Sequence, residues 1–163
     1  MLVRLSTDVD ILAIAEIYGH HVRHGVATFE IDPPDANEMA RRRTEVLQRG
    51  LPWLVAEIEG SVLGYAYATQ YRSRAAYRFT LEDSIYVHPM HMSKGIGKLL
   101  LPELIARCQE VGARQMVAVI GDTAHPASIK LHARFGFRHV GVLQAVGFKF
   151  DRWLDTVLMQ RPL

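Results

Sequence analysis

The segment from Asp83 to Gly97 carries the residue types and spacing with the clearest chemistry in this sequence. It begins as the β-rich apolar run 84–87, which ends at Pro89 because proline lacks an N–H donor and restricts the residue before it. A short polar loop leads to Lys94–Lys98, a run with two glycines that opens an apolar-periodic helix. Free amide groups, the positive end of the helix dipole and closely approaching glycine backbone favour an anion there. The junction therefore predicts a diphosphate-binding turn.

The glycines of this turn match neither of two common nucleotide-binding motifs. A Walker A loop is excluded because Gly97-Lys98 is followed by Leu99 and not by Ser or Thr. A dinucleotide-binding fingerprint is disfavoured because Leu100 stands where the third glycine belongs. The alternative to an anion site is an ordinary strand-to-helix turn whose glycines serve packing, since a glycine-rich loop alone is a weak signal.

The elements that must position this turn alternate between period-2 and period-3.6 apolar patterns. A capping box at Asp35 and Glu38 marks one helix start, and Glu59-Gly60 marks a hairpin. Predicted strands are Leu2–Leu5, Trp53–Ile58, Ser61–Gln70, Phe79–Val87, Met116–Ile120, Phe137–Leu143 and Trp153–Gln160. Predicted helices run from about Thr7 to His24, from Asp35 to about Arg49, from Ile96 to Val111 and from Ala127 to Phe135.

This order predicts a mixed sheet with helices on both faces, and hence an α/β or α+β fold. Met116–Ile120 is a continuous apolar run, which is typical of a central strand buried on both faces. Residues 147–152 are predicted to connect the last two strands because they contain a glycine and follow a strand pattern.

The bulk composition limits the class of protein. The 163 residues, 49% hydrophobic and 22% charged, are typical of one soluble globular domain spanning 1–163. We expect no membrane span, no signal peptide and no nucleic-acid partner, because apolar runs are short and the formal charge is only +2. The single Cys108 excludes an internal disulfide and a cysteine-based zinc site, which fits a reducing cytoplasm. His20 and His24 have helical spacing, but we expect surface histidines and no metal.

The order and spacing of several motifs resemble a known family. Val87-His88-Pro89 followed by Ser93-Lys94-Gly95-Ile96-Gly97 is similar to the acetyl-CoA pyrophosphate motif of the GCN5-related N-acetyltransferases (GNAT). That motif reads Gln/Arg-x-x-Gly-x-Gly/Ala, and His91 or Met92 here replaces its first residue. The runs Glu82-Asp83-Ser84, Leu131-His132 and Gly147-Phe148-Lys149, with Trp153 and Asp155, resemble the phosphinothricin and methionine sulfoximine acetyltransferase subgroup.

The resemblance implies a fold and a cosubstrate. The GNAT fold has a mixed, mostly antiparallel seven-stranded sheet whose fourth and fifth strands splay apart to admit the pantetheine arm of acetyl-CoA. No metal is implied. Main-chain groups expected to hold the pantetheine belong to Ile85, Tyr86 and Val87, and amides expected to hold the pyrophosphate belong to Ser93, Lys94, Gly95, Ile96, Gly97 and Lys98. His125 stands where the family commonly has Asn, and Ser128 either contacts the cofactor or caps a helix.

The implied reaction, attack of a neutral amine on a thioester, needs a base, an oxyanion donor and an acid. Glu82 is the candidate base, through a water molecule, because desolvation in an apolar strand raises a carboxyl pKa. The alternative is that Glu82 pairs with an arginine of the 72–78 loop. Asp83 alternates to the other sheet face and is a weaker candidate. The Val87 amide is the candidate oxyanion donor, and His132 is the candidate acid or else a packed helix histidine.

The acceptor implied by the subgroup is a small amino acid analogue such as methionine sulfoximine, methionine sulfone or phosphinothricin, acetylated directly in a detoxifying reaction. Arginine suits bidentate binding of its carboxylate. Predicted acceptor-binding residues are Phe29, Glu30, Arg72, Arg74, Tyr77, Lys149 and Trp153, the last two in the same chain or a neighbouring subunit. We expect a homodimer. The alternatives are an acetyltransferase for a peptide N-terminus or another amine, and a non-catalytic acyl-CoA-binding sensor.

Overall fold

The computed structural model of the chain describes residues 1–123 and 126–163. Short 3-10 turns lie at Asp8–Asp10, Ala75–Tyr77 and Pro89–His91. The strands are β1 Leu2–Leu5, β2 Trp53–Ile58, β3 Ser61–Gln70, β4 Thr80–Val87, β5 Gln115–Gly121, β6 Arg138–Lys149 and β7 Arg152–Pro162. The helices are α1 Ile11–His24, α2 Ala36–Gln48, α3 Ile96–Glu110 and α4 Pro126–Arg134.

The seven strands form one sheet in the order β1-β2-β3-β4-β5-β7-β6. Neighbours are antiparallel except for the parallel pair β4–β5. That pair is in register from Thr80↔Gln115 to Asp83↔Ala118, although β4 continues to Val87 and β5 continues to Gly121. The two strands therefore part after Asp83 and form a V-shaped opening, which confirms the predicted splayed GNAT sheet.

Helices cover both faces of the sheet, as predicted. On one face, Leu100, Leu104 and Cys108 of α3 pack against strand residues such as Met116. On the other face, residues of α1 and α2 cover Trp53 and other aromatic residues of β2, β3 and β4. The Asp35 side chain accepts a hydrogen bond from the Glu38 amide at 2.8 Å, which confirms the predicted cap of α2.

Two predictions about the strands were wrong. The β5 strand is not buried on both faces, because α1 and α2 pack over β2–β4 and leave Val119 39% exposed. The segment predicted to connect the last two strands belongs largely to β6, which pairs with β7 through Lys149↔Arg152. The turn is only Phe150-Asp151, both with left-handed φ values of 53° and 54°. Within the described ranges, no helix is long and apolar enough to cross a membrane.

Candidate active site

The opening between β4 and β5 exposes main-chain groups of β4. The amide of His88 donates to the Leu63 carbonyl of β3 at 2.8 Å. The main-chain groups of every second residue before His88 therefore also point towards β3. Because main-chain groups alternate along an antiparallel strand, those of Ile85 and Val87 point into the opening. The Val87 carbonyl accepts a hydrogen bond at 2.8 Å from Nε2 of His21, at the C-terminal end of α1.

Tyr86 lies differently from its two neighbours. Its main chain pairs with Tyr65 of β3, and its ring packs 5.0 Å from the Tyr18 ring in the core under α1. Of the three residues predicted to hold the pantetheine arm, Ile85 and Val87 therefore direct main-chain groups into the opening. The main-chain groups of Tyr86 point towards β3, away from the opening.

The turn before α3 has the backbone geometry of an anion-binding site. Ser93 and Gly95 adopt left-handed φ values of 63° and 86°, and Gly95 is the N-cap of α3. The amides of Ile96 and Gly97 belong to the first helical turn, where N–H groups have no intrahelical acceptor. The exposed lysines of this turn are Lys94 and Lys98. The turn therefore combines donors, positive charge and a helix N-terminus beside the opening.

Glu82 is half-buried at the narrow end of the opening, one residue before the last β4–β5 pair. Burial, with a smaller contribution from the charge of Asp83, raises its pKa to about 7. Two arginines of the 72–78 loop, which were the alternative partners of Glu82, contact aromatic rings. Arg72 lies 5.2 Å from the Tyr71 ring centre, and Arg78 lies over the Phe79 ring. A carboxyl with a pKa near neutrality is suited to exchanging protons at physiological pH.

His132 and Asp83 form an ion pair on the opposite face of the sheet from Glu82. His132 Nε2 lies 2.9 Å from Asp83 Oδ2, and its Nδ1 lies 2.8 Å from the Ser128 carbonyl and 3.3 Å from the Ser128 hydroxyl. Burial lowers the pKa of His132, but the hydrogen bond and charge of Asp83 and the Ser128 carbonyl outweigh it and raise the pKa overall. Because carboxylate and carbonyl both accept, the ring carries a proton on each nitrogen.

The arginine-bearing loop joins β3 to β4 at the Glu82 end of the strand. The side-chain amide of Gln70 donates to the carbonyls of Arg72 and Arg74, at 2.6 and 3.1 Å, and so holds the loop in shape. The side chains of Arg72, Arg74 and Tyr77 are exposed. They are accessible to a ligand from solvent at the end of β4 that carries Glu82.

The other predicted acceptor residues occupy two environments. Phe29 and Glu30 lie in the α1–α2 loop, where Arg42 donates to the Glu30 carboxylate at 2.6 Å. Lys149 is buried, and its ammonium group binds main-chain carbonyls of the same loop. Trp153 is 66% exposed beside the ring of Phe148 on the β6–β7 hairpin.

Sequence patterns did not single out His21, which the structure places half-buried against the opening. Burial lowers its pKa more than the Val87 carbonyl raises it, so this imidazole is neutral near pH 7. His20 directly precedes His21 on the same helix, so no local sequence pattern distinguished His21 from a surface histidine. His125 lies outside the described residues. Among the described residues, no cluster of His, Cys, Asp and Glu could hold a metal ion.

Residues 15–137 match the family model described as "Acetyltransferase (GNAT) family". The chain is 58% identical to a phosphinothricin N-acetyltransferase of Alcaligenes faecalis, over 99% of this chain and 82% of that protein. It is 41% identical to an L-methionine sulfoximine/L-methionine sulfone acetyltransferase of Salmonella typhimurium, over 100% of this chain and 95% of that protein. A crystal structure of a GNAT superfamily phosphinothricin acetyltransferase from Sinorhizobium meliloti with acetyl-CoA superimposes with a TM-score of 0.96, at 52% identity, covering 99% and 88% of the two chains.

Proposed function

The chain belongs to the acetyltransferase (GNAT) family, and we propose that it acetylates the α-amine of a small amino acid analogue of the phosphinothricin or methionine sulfoximine kind. It is an acetyl-CoA-dependent N-acetyltransferase. The observation that carries the proposal is the opening after Asp83↔Ala118, which joins a carboxyl of raised pKa to a glycine-rich helix start.

The residues around the opening fit acetyl-CoA, which supplies an activated acetyl thioester. The amides of Ser93, Gly95, Ile96 and Gly97 and the side chains of Lys94 and Lys98 suit its diphosphate. The predicted contribution of the Lys94 and Lys98 amides was wrong, because these amides donate to the His91 and Gly95 carbonyls. The inward main-chain groups of Ile85 and Val87 suit the amides of the pantetheine arm. The wider family has Gln or Arg at the position of Met92, which is apolar here. Binding of the diphosphate therefore depends on backbone amides and the two lysines.

Glu82 is the proposed base, acting on the ammonium group of the acceptor directly or through a water molecule. Strand geometry bears on the oxyanion donor. At about 3.3 Å per residue, the backbone of Val87 lies roughly 16 Å from that of Glu82, whereas the backbone of Ile85 lies roughly 10 Å away. We therefore assign the oxyanion donor to the Ile85 amide and give the predicted Val87 amide the role of holding the pantetheine.

His132 is the proposed acid for the departing thiolate. Asp83 accepts the Nε2 proton and the Ser128 carbonyl accepts the Nδ1 proton at 2.8 Å, so proton transfer requires the Nδ1–H to turn from that carbonyl to the Ser128 hydroxyl. That proton lies beside the Ser128 hydroxyl, at an Nδ1–Oγ distance of 3.3 Å. Ser128 passes its own hydroxyl proton to the thiolate and takes the Nδ1 proton in exchange, which leaves a neutral His132.

Arg72 and Arg74 are proposed to bind the acceptor carboxylate, with Tyr77, Phe29 and Glu30 shaping the rest of the pocket. Arg72, Arg74 and Tyr77 are exposed in the loop that leads into the Glu82 end of β4, which supports this assignment. We also propose that the enzyme is a cytoplasmic homodimer that detoxifies inhibitory amino acid analogues. The support for a dimer is a strip of exposed apolar residues on the β6–β7 hairpin: Val140, Val142, Val146, Phe148, Phe150 and Trp153.

The decisive experiment is a thiol-release assay with acetyl-CoA across amino acids, their sulfone and sulfoximine analogues, phosphinothricin, peptides and polyamines. We expect turnover with the amino acid analogues and little with the other amines. Turnover with peptides or polyamines alone would refute the acceptor assignment. Binding of acetyl-CoA without turnover on any amine would instead indicate an acyl-CoA sensor.

A further inference from the structure

The loop between α1 and α2 lies across the wide end of the opening. At Gly121, the last residue of β5, an added Cβ would come within 2.1 Å of the Val26 carbonyl oxygen. At Gly147 of β6, an added Cβ would come within 2.3 Å of the Phe29 ring. Both glycines are therefore needed for the loop to approach the strands closely, and the loop covers strands on the β5 side of the opening.

Lys149 holds this loop in place through two hydrogen bonds. Its Nζ donates to the carbonyls of Gly25 and Thr28, each at 2.9 Å, and the residue is only 4% exposed. These contacts span more than 120 residues of sequence, since Gly25 lies 124 residues from Lys149. Burial lowers the pKa of the ammonium group, which is the expected penalty for a cation that has exchanged water for two carbonyls.

The turn held by Lys149 leads directly into the proposed acceptor residues. The Thr28 hydroxyl lies 2.8 Å from the Tyr18 hydroxyl and accepts from the Glu30 amide at 3.2 Å. Phe29, between them, has its ring against Gly147, two residues before Lys149. Two nearby residues of β6 thus position this loop: Lys149 through its hydrogen bonds and Gly147 through its contact with the Phe29 ring.

We propose that Lys149 is a positioning residue for acceptor recognition: it holds the 25–30 loop, and with it Phe29 and Glu30, on the β5 side of the opening. This inference rests on the proposed function, in which those two residues shape the acceptor pocket. It replaces direct contact between Lys149 and the acceptor, because two of the three N–H groups are committed to the loop. The two hydrogen bonds of Lys149 involve neither the pyrophosphate turn nor the β4 main chain, so binding of acetyl-CoA should not depend on Lys149.

Lys149→Met removes the donors and keeps an unbranched side chain that is one atom shorter, and Lys149→Arg keeps donors for both carbonyls. Gly147→Ala displaces the Phe29 ring while leaving Lys149 unchanged. The matched controls are Lys130→Met, at an exposed lysine of α4, and Gly141→Ala, at a β6 glycine whose added Cβ would meet nothing within 4 Å. Steady-state rates with methionine sulfone and acetyl-CoA, and melting temperatures, are measured for all five variants.

We expect Lys149→Met and Gly147→Ala each to raise the KM for methionine sulfone by about tenfold, with less than twofold change in the KM for acetyl-CoA. Lys149→Arg should recover most of the acceptor affinity, and the controls should match wild type. Equal losses for both substrates, or unchanged KM values in folded variants, would overturn the proposal. If Lys149→Met does not fold, the Lys149→Arg and Gly147→Ala results decide.

A second readout separates this inference from the proposed function. If wild type acetylates no amino acid analogue, the proposed acceptor is wrong, and loop positioning is then measured by chymotrypsin cleavage after Phe29. Faster cleavage of Lys149→Met than of Lys130→Met at equal thermal stability supports the positioning role. Equal cleavage rates contradict it.

Discussion

The Nε2 atom of His132 lies 2.9 Å from Oδ2 of Asp83, in an ion pair whose side chains are 5% and 2% exposed. Asp83 is also the last residue of β4 that pairs with β5, so the ion pair lies at the point where the sheet begins to open. A buried charge is tolerated when it is paired and hydrogen-bonded. The same pairing keeps His132 protonated where the proposed mechanism needs an acid.

Replacing Asp83 with Asn should lower the pKa of His132, because the amide can accept from Nε2 but carries no charge. The fall of kcat on the alkaline side should then begin at a lower pH, because a nearby opposite charge favours the protonated form of the imidazole. The measurement is the pH dependence of kcat at saturating substrates. Asp151→Asn, in the exposed β6–β7 turn, is the control.

The same variant tests the pH dependence of stability. The pKa of His132 is raised in the folded state, so the ion pair stabilises the fold fully below the unfolded pKa of about 6.5. That contribution disappears as pH rises through the higher folded value. We expect the stability difference between wild type and Asp83→Asn, measured by urea unfolding, to be largest at mildly acidic pH, just below about 6.5, and to shrink at alkaline pH. A constant difference would show that His132 does not titrate in the folded state as the geometry requires.

Glu82→Gln should abolish the proposed base while preserving the strand. A positioned general base contributes about 100-fold or more to rate, so kcat should fall by at least that factor with the affinity for acetyl-CoA unchanged. In the wild type, kcat/KM should rise with pH up to about 7, where Glu82 becomes deprotonated, and this limb should be absent in the variant. A variant that retains wild-type kcat would remove Glu82 from the mechanism.

Gly95→Ala tests the pyrophosphate turn. The φ of 86° strains any side chain, whereas the added Cβ would meet nothing within 4 Å, so the stability loss should be about 1 kcal/mol. Relaxation of the turn should raise the KM for acetyl-CoA about tenfold and leave kcat unchanged. Gly112→Ala is the matched control, because Gly112 has a φ of 84° and equally open surroundings at the other end of α3. If both variants change the KM equally, the effect comes from the stability of α3 and not from the turn.

Local patterns predicted much of this protein, because the turn from β4 to α3 and the cap of α2 depend on neighbouring residues. Contacts distant in sequence were not predictable in this way. Gly147 looks like a loop residue, yet it lies in a strand and pairs with Leu154, and the Phe29 ring occupies the place that a side chain would take. The partnership of Asp83 with His132 joins residues 49 positions apart. Exposure of Val119 depends on which strands α1 and α2 cover, and an apolar run carries no information about that.

Cys108 tests direct transfer against an acetyl-enzyme intermediate. It is fully buried on α3, and burial, with a smaller effect of the Asp83 charge, raises its pKa to about 12. At neutral pH very little of this thiol is therefore in the nucleophilic thiolate form. Cys108→Ala should therefore keep kcat within twofold of wild type and lose about 1 kcal/mol of stability from the small cavity. Mass spectrometry of wild type mixed with acetyl-CoA alone should detect no acetylated protein. A folded Cys108→Ala variant that binds acetyl-CoA but has no turnover would contradict direct attack by the acceptor amine.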